Sequence, residues 1–319
     1  MTTAFFAMIR HLRCRQLMLR LAACAAALCI AAPAVAADTA QKSFNSPEAA
    51  TAALVKAVQA NDQAGLRRIL GPHSGKLINS GDPAADQEDR SKFLRVYDEA
   101  HKLVQEGDNK VVLVIGKDEW PMPIPLVKSG DRWRFDAQQG REEILSRRIG
   151  RNELAAIQVC LAIVDAEREY AAHDWDGDGV LRYAPKFISA PGQRDGLYWD
   201  TGPGEPLSPI GPLVAAAAQD ENQRLNRPTA PYHGYYYKIL TAQGDEAQGG
   251  AYNYVLNGKM IGGFAVIAYP ARYGASGVMS FIVNHDGAVF QKNLGKDTAA
   301  VVSGMAAFDP DPSWEKQKP

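Results

Sequence analysis

Apolar positions along the chain change period, and the change separates a helical beginning from a strand-rich stretch. Ser46-Pro47-Glu48 supplies an N-cap, a first-turn proline and an early acid. Ala50, Leu54, Val55 and Val58 then recur at the spacing of one helix face. Asp62 is placed to cap a second short helix, which Leu70-Gly71-Pro72 ends because neither Gly nor Pro continues it. The Gly-, Ser-, Pro- and Asp-rich run from His73 to Asp86 reads as loop, and Glu88 to Gln105 as a third helix carrying Phe93, Tyr97, Ala100 and Val104 on one side. Beyond it the period shortens to two. Lys110 to Ile115 is largely β-branched, Trp120 to Val127 is broken by prolines, and Arg132 to Asp136 follows a turn at Gly130-Asp131. Trp120, Trp133 and Phe135 read as core filling.

The second half repeats the order of helix and then strand. Gly140 to Arg151 is a charged linking helix with a break expected near Gly150, after which Asn152 caps a longer, apolar one. Leu154, Ile157, Leu161 and Val164 mark its buried face, and Val159, Cys160 and Ile163 widen it, so the helix packs on more than one side. Ala190 to Pro231 is rich in proline and reads as turns and coil, anchored by Gly196-Leu197-Tyr198-Trp199, with one short helix over Pro212 to Asn226. An antiparallel meander follows. Its strands are Tyr235 to Thr241, a central Met260 to Tyr269, Gly277 to Asn284 and Ala288 to Leu294, the last two joined by a hairpin at His285-Asp286-Gly287. The tail from Phe308 to Trp314 is extended and charged. The fold class is therefore α+β. Residues 38–140 form helices with a curved antiparallel sheet, and residues 141–319 a long helix packed on the meander.

The first 37 residues change the picture of location. Arg10, Arg13, Arg15 and Arg20 precede an apolar run from Leu21 to Val35 that ends in small residues before Asp38, the pattern of a cleaved secretory signal. Leu21-Ala22-Ala23-Cys24 offers a rival, lipidation at Cys24, against which Arg20 interrupts the apolar stretch. Cleavage leaves a periplasmic or secreted chain. Loss of four arginines and no acids takes its formal net charge from −1 to −5, which argues against nucleic acid as a partner because binding phosphates needs a basic face. Three of the four cysteines leave as well, and Cys160 in the apolar helix reads as a small buried hydrophobe. No later segment is long and apolar enough to span a bilayer.

The sharpest chemical feature is the acidic loop His173 to Tyr183. Asp174, Asp176 and Asp178 alternate with Trp175 and Gly177 and can turn three carboxylates toward one point, Gly179 suits the sharp bend, and the Val180 carbonyl is a fourth oxygen. That is the first half of a calcium loop. The twelfth position, where a bidentate Glu is needed, holds Pro185, so completion falls to a carboxylate such as Asp195 or Asp200. Nothing marks a nucleophile elbow, a zinc helix or a phosphate loop. His101, His173, His233 and His285 are scattered, and His285-Asp286 is adequately explained as hairpin chemistry. Tyr235, Tyr237, Tyr252, Tyr254, Tyr269, Tyr273 and Trp199 suit either a core or a ligand-binding face, with the core reading favoured because Tyr is a good strand former. No catalytic residue is assigned.

Several longer motifs carry a resemblance. REYAAHDWDGDGVLRYA, GQRDGLYW, HGYYYKIL, MIGGFAVIAYPARYGASGVMSFIVNHDGAVFQKNLG and FDPDPSW resemble the exported bacterial family known as domain of unknown function 2950. That likeness covers most of the chain after residue 37 and brings no activity or substrate with it. By element order, residues 44–137 resemble the nuclear-transport-factor-2-like or cystatin-like architecture. The long helix, acidic loop and closing hairpin are similar to the head domain of type IV pilins and pseudopilins, whose heads can bind calcium. An entire domain precedes the helix here and the apolar assembly stem is missing, so polymerisation is not implied. The expectation is a non-catalytic binding or assembly module of the cell envelope with a structural calcium, its ligand an envelope protein, a peptide or a glycan. The alternative is a periplasmic hydrolase with a carboxylate site in the Asp174–Asp200 loops.

Overall fold

A computed structural model describes residues 41–79, 81–205, 207–211, 213 and 231–317. The secretory signal, the lipidation motif at Cys24 and nearly all of the expected helix over Pro212 to Asn226 lie outside the described residues. The fold is α+β. The chain divides into two compact units between Arg141 and Glu142.

In the first unit, α1 (Pro47–Gln59) starts where Ser46 accepts the amide of Ala49, and α2 (Gln63–Leu70) where Asp62 accepts that of Gly65. Gly71, at φ 88°, takes the chain out of α2 in a conformation other residues avoid. The stretch from His73 to Asp86 is more ordered than its composition implies. It contains a 3-10 turn (Pro72–Ser74), a single helical turn α3 (Gly75–Ile78) and the start of α4 (Pro83–Glu99). Helix α4 thus begins five residues before the expected Glu88, because Pro83 is well placed at its first position and Asp82 accepts the amide of Ala84. It also ends earlier. His101–Gln105 is strand β1, paired antiparallel with β2 (Lys110–Ile115), so long-range pairing overrides the helical period that extended to Val104.

The sheet is completed by β3 (Trp120–Pro121), β4 (Leu126–Ser129) and β5 (Arg132–Phe135), in the order β1-β2-β4-β5 with β3 on β2. Trp133 and Phe135 alternate inward and share a core with Leu54, Leu66, Ile69 and Leu126. Trp120 does not join them. It is 46% exposed on the short strand β3, so the expectation of core filling fails there.

The second unit is built on α5 (Ala137–Ala171), which runs without interruption through Gly150. The expected break and the N-cap at Asn152 are both absent. The Asn152 side chain donates instead to the carbonyl of Ser276, and Glu153 beside it accepts the amides of Val278 and Met279. An asparagine that resembled a helix start therefore joins Glu153 in docking the helix on a distant turn. Ala156, Val159, Cys160, Ile163, Val164 and Tyr170 form the buried face. Leu154, expected within that face, is 67% exposed, and Ile157 and Leu161 are half-buried on its flank.

Against the helix lies a five-stranded sheet, with β6 (Tyr235–Leu240), β11 (Ala265–Pro270), β12 (Ser280–Asn284), β13 (Val289–Lys292) and β15 (Glu315–Lys316) in the order β15-β13-β12-β11-β6. Strand β11 lies inside the sheet between β12 and β6 and is almost wholly buried, as its apolar run required. The stretch from Met260 to Tyr269 is nonetheless two strands, since Gly263 at φ 140° turns the chain between β10 (Lys259–Met260) and β11. The His285-Asp286-Gly287 hairpin forms with Gly287 at φ 83°. Short strands β7 (Ala242–Gln243) and β8 (Tyr252–Asn253) extend the unit together with β14 (Ala307–Phe308), and β9 (Val255–Leu256) pairs with β10. Helix α6 (Thr298–Gly304) was not legible in the sequence. Lys238 of β6 holds its end, donating to the carbonyls of Val302, Ser303 and Met305 at 2.9, 3.2 and 2.7 Å. A cation on the carbonyls at a helix C-terminus is the favourable sign for the helix dipole.

Close approach also fixes one glycine. A Cβ at Gly277 would stand 2.0 Å from the Tyr235 hydroxyl, which donates to the carbonyl of Met279 from a fully buried ring. Gly277→Ala is expected to lower unfolding free energy by about 1–3 kcal/mol, the usual cost of overpacking, in urea titration. An unchanged midpoint would mean that the Tyr235 ring has room to move.

Candidate functional site

The acidic loop leaves the C-terminal end of α5 and is closed by the first of its aspartates. One Asp174 carboxylate oxygen accepts the amides of Gly177 and Asp178 at 3.0 and 3.3 Å, and the other accepts that of Gly179 at 2.7 Å. Gly177 and Gly179 have φ of 68° and 79°, which lets the backbone turn its amides inward around a single carboxylate. Asp178 accepts the amide of Val180 at 3.0 Å, so Val180 enters the loop through its N–H.

The remaining carboxylate oxygens face cations. Arg182 reaches Asp176 at 2.5 Å and Asp178 at 2.8 Å, and Lys259 of β10 reaches the same Asp178 oxygen at 2.5 Å. The Lys259 hydrogen bond is the main cause that holds the Asp178 carboxyl below the usual range. Asp174, Asp176 and Asp178 are thus brought together in one loop, with Asp174 turned to the backbone and the other two converging on one guanidinium. Among the described residues, no group of three His, Cys, Asp or Glu side chains stands ready to hold a metal ion. Asp195 and Asp200 are engaged by other partners. Asp195 pairs with Lys186 at 2.7 Å and accepts the amide of Ala190, while Asp200 accepts the Tyr198 hydroxyl.

Under the loop sits a carboxyl group that the sequence reading passed over. Glu167 on α5 is fully buried, and one of its oxygens accepts the amide of Ala184 at 2.8 Å, tying the chain just after the loop to the helix. Its second oxygen has no hydrogen-bond partner. Burial pushes this carboxyl up to about 8, with the Ala184 amide pulling slightly the other way, so at neutral pH it is a neutral acid.

Aromatic rings beside the loop are packed rather than displayed. Trp175 donates to the carbonyl of Tyr170 and meets Trp199 edge-on at 4.9 Å, with the Arg194 guanidinium 5.2 and 5.5 Å from the two rings. Tyr235 and Tyr254 are fully buried, and Tyr252 is 40% exposed. The tyrosines do not form one shared face. His285 and Asp286 are 3.9 Å apart, and the His285 carbonyl accepts from Arg168.

A concavity among the described residues of this unit lies along a flank of α5. A groove of about 730 Å³ is floored by Ile157, Leu161, Val289, Phe290 and Phe308. Glu246 and Asp286 stand on its rim with Lys316. Leu154, one turn before Ile157, continues the apolar stripe into solvent. The sequence did signal this surface, in the width of the apolar face of α5, but could not say which part would stay open.

The Glu167 carboxyl makes stability depend on pH with a definite sign. Its folded-state value of about 8 lies above the unfolded value of 4.5, so its contribution is complete below about 4.5 and is lost as pH rises through 8. Glu167→Gln keeps the shape and removes the titration. The variant is expected to match the parent near pH 4 and to exceed it in melting temperature at pH 8. Parallel melting curves across that range would show the carboxyl to be ionised in the fold.

No curated protein and no solved structure gives a match to the chain. A family model does, over residues 41–317, which takes in both units, the acidic loop and the groove. The chain belongs to the family described as Protein of unknown function (DUF2950).

Proposed function

We propose that this is an exported cell-envelope protein that binds an extended segment of a partner protein without catalysing a reaction on it. Export rests on the basic start, apolar run and small residues of positions 1–37. Among the described residues, no helix is long and apolar enough to cross a membrane.

One observation carries the binding reading, the groove beside α5. Its floor is apolar where a helix flank would ordinarily be covered, and Leu154 extends that stripe at 67% exposure. Contiguous exposed apolar surface with a polar rim is the usual mark of an interaction site. Two rim acids against one lysine favour a segment whose apolar side chains are flanked by basic residues. Peptide is preferred over glycan because the tryptophans that would stack on a sugar are packed on each other beneath Arg194.

Selection of a random dodecapeptide library on the protein should enrich aliphatic and aromatic residues next to Lys or Arg. Leu161→Glu should weaken the selected peptides at least tenfold, and Asp286→Lys should select against their basic residues. Enrichment without that pattern, or binding indifferent to both substitutions, would sink the reading.

A second reading concerns calcium as a structural clip. It is favoured by Asp176 and Asp178 both reaching Arg182, since a divalent ion in place of the guanidinium would meet two carboxylates already aimed at one point, with the Val180 carbonyl nearby in sequence. In a thermal melt, millimolar calcium should raise the midpoint by several degrees relative to chelator, and Asp176→Ala should abolish the rise. Equal melts with and without calcium would sink this reading and leave the loop held by Asp174, Arg182 and Lys259 alone.

A further inference from the structure

The first unit contains a cavity of about 210 Å³ between its helices and its sheet. Well-packed interiors leave few voids larger than a water molecule, and a dry apolar cavity of about 150 Å³ is enough to take benzene. Leu54 and Leu66 reach it from α1 and α2, and Leu113 and Phe135 from the sheet, all less than 10% exposed. The rings and methyls of these four residues leave the space lined but unfilled.

The fourth wall is chemically different. Asp86, Asp89, Arg90 and Phe93 all line the cavity from α4, and their spacing of three, four and seven residues places them on a single helix face. A face that served only packing would carry apolar residues at those positions. Here the first turns bring two carboxylates and a guanidinium to an apolar space, and Phe93 continues it inward. Asp86 is 8% exposed, while Asp89 is open to solvent and marks the mouth. Arg90 donates to the carbonyl of Ile78 through one terminal nitrogen at 3.2 Å, and its Nε is buried without a partner.

We infer that this cavity is a small-molecule site for a compact neutral amphiphile, with a body of roughly eight non-hydrogen atoms, scaled from benzene in about 150 Å³, and one hydroxyl or amide head. The apolar body fills the space over Leu113 and Phe135. Its head lies at the α4 end, where a hydroxyl donates to the Asp89 carboxylate and accepts from Arg90, a pairing that the mixed charge of the rim allows and an anion would not share. The Asp89 carboxylate at the mouth disfavours a carboxylate head by like-charge repulsion. The site is separate from the groove of the second unit, so its occupation does not depend on the partner proposed there.

The experiment uses the methyl-labelled protein and two probes of nearly equal size, benzyl alcohol and benzoate. Benzyl alcohol should shift the methyl resonances of Leu54, Leu66, Leu113 and Met122 saturably, leaving those of Leu161 and Val289 unmoved, with benzoate at least tenfold weaker. Leu66→Phe, which fills the space, should abolish saturation, and Met122→Trp offers a second filling variant if the first fails to fold. Asp89→Asn, at an exposed position, should weaken the alcohol several-fold. Absence of saturable shifts in the parent, shifts that survive both filling variants, or equal binding of benzoate would overturn the inference.

Discussion

From Ala156 to Tyr170, helix α5 turns a continuous buried face to the core it shares with β6, β11 and β12. A sheet can cover one side of a helix, and this helix is apolar on more than one. The buried side is the one with small and branched residues, Ala156, Val159, Cys160, Ile163 and Val164, which let the backbone lie close to the sheet. What remains is the stripe of Leu154, Ile157 and Leu161. Docking of the middle of the helix by Asn152 and Glu153 onto the turn at 276–279 fixes its rotation, and the rotation decides which stripe is left over.

Electrostatics in the second unit follow from the same placement. Glu167 faces inward because it lies on the buried side, and its carboxyl stays neutral there because the interior penalises charge. The aspartates a few residues later lie outside that interior, where Asp174 takes backbone amides and Asp176 and Asp178 meet Arg182 and Lys259. Two kinds of carboxyl chemistry therefore sit within a dozen residues. One is a hydrogen-bonded acid that clamps backbone, and the other is a set of paired anions that shapes a loop.

Much of this was legible from residues that act locally. Ser46, Asp62, Gly71 and the Asp286-Gly287 turn behave as their types dictate, because caps and hairpins are decided within a few residues. Buried alternation in β5 and the apolar run of β11 were equally plain. What the sequence concealed depends on partners far along the chain. His101–Gln105 has a helical period until β2 pairs with it, and Asn152 looks like a cap until Ser276 accepts its amide. Asp174, Asp176 and Asp178 announced a loop with chemistry, and Arg182, four residues beyond Asp178, was within reach of pattern reading. Lys259, 81 residues away, was not. The α4 face turned to the cavity was obscured for a further reason, since its charges read as a solvated surface unless the space beside them is known.

Cys160 gives the chain an unusual relation to oxidants. Among the described residues it is the one free cysteine, it is fully buried on α5, and burial pushes its thiol up to about 12. Thiolate is the reactive form, and the folded helix supplies neither the ionisation nor the access. Its reactivity is therefore that of the opened molecule alone. In an oxidising compartment such a residue is silent for as long as the core around α5 holds, and becomes a mark of damage once it does not.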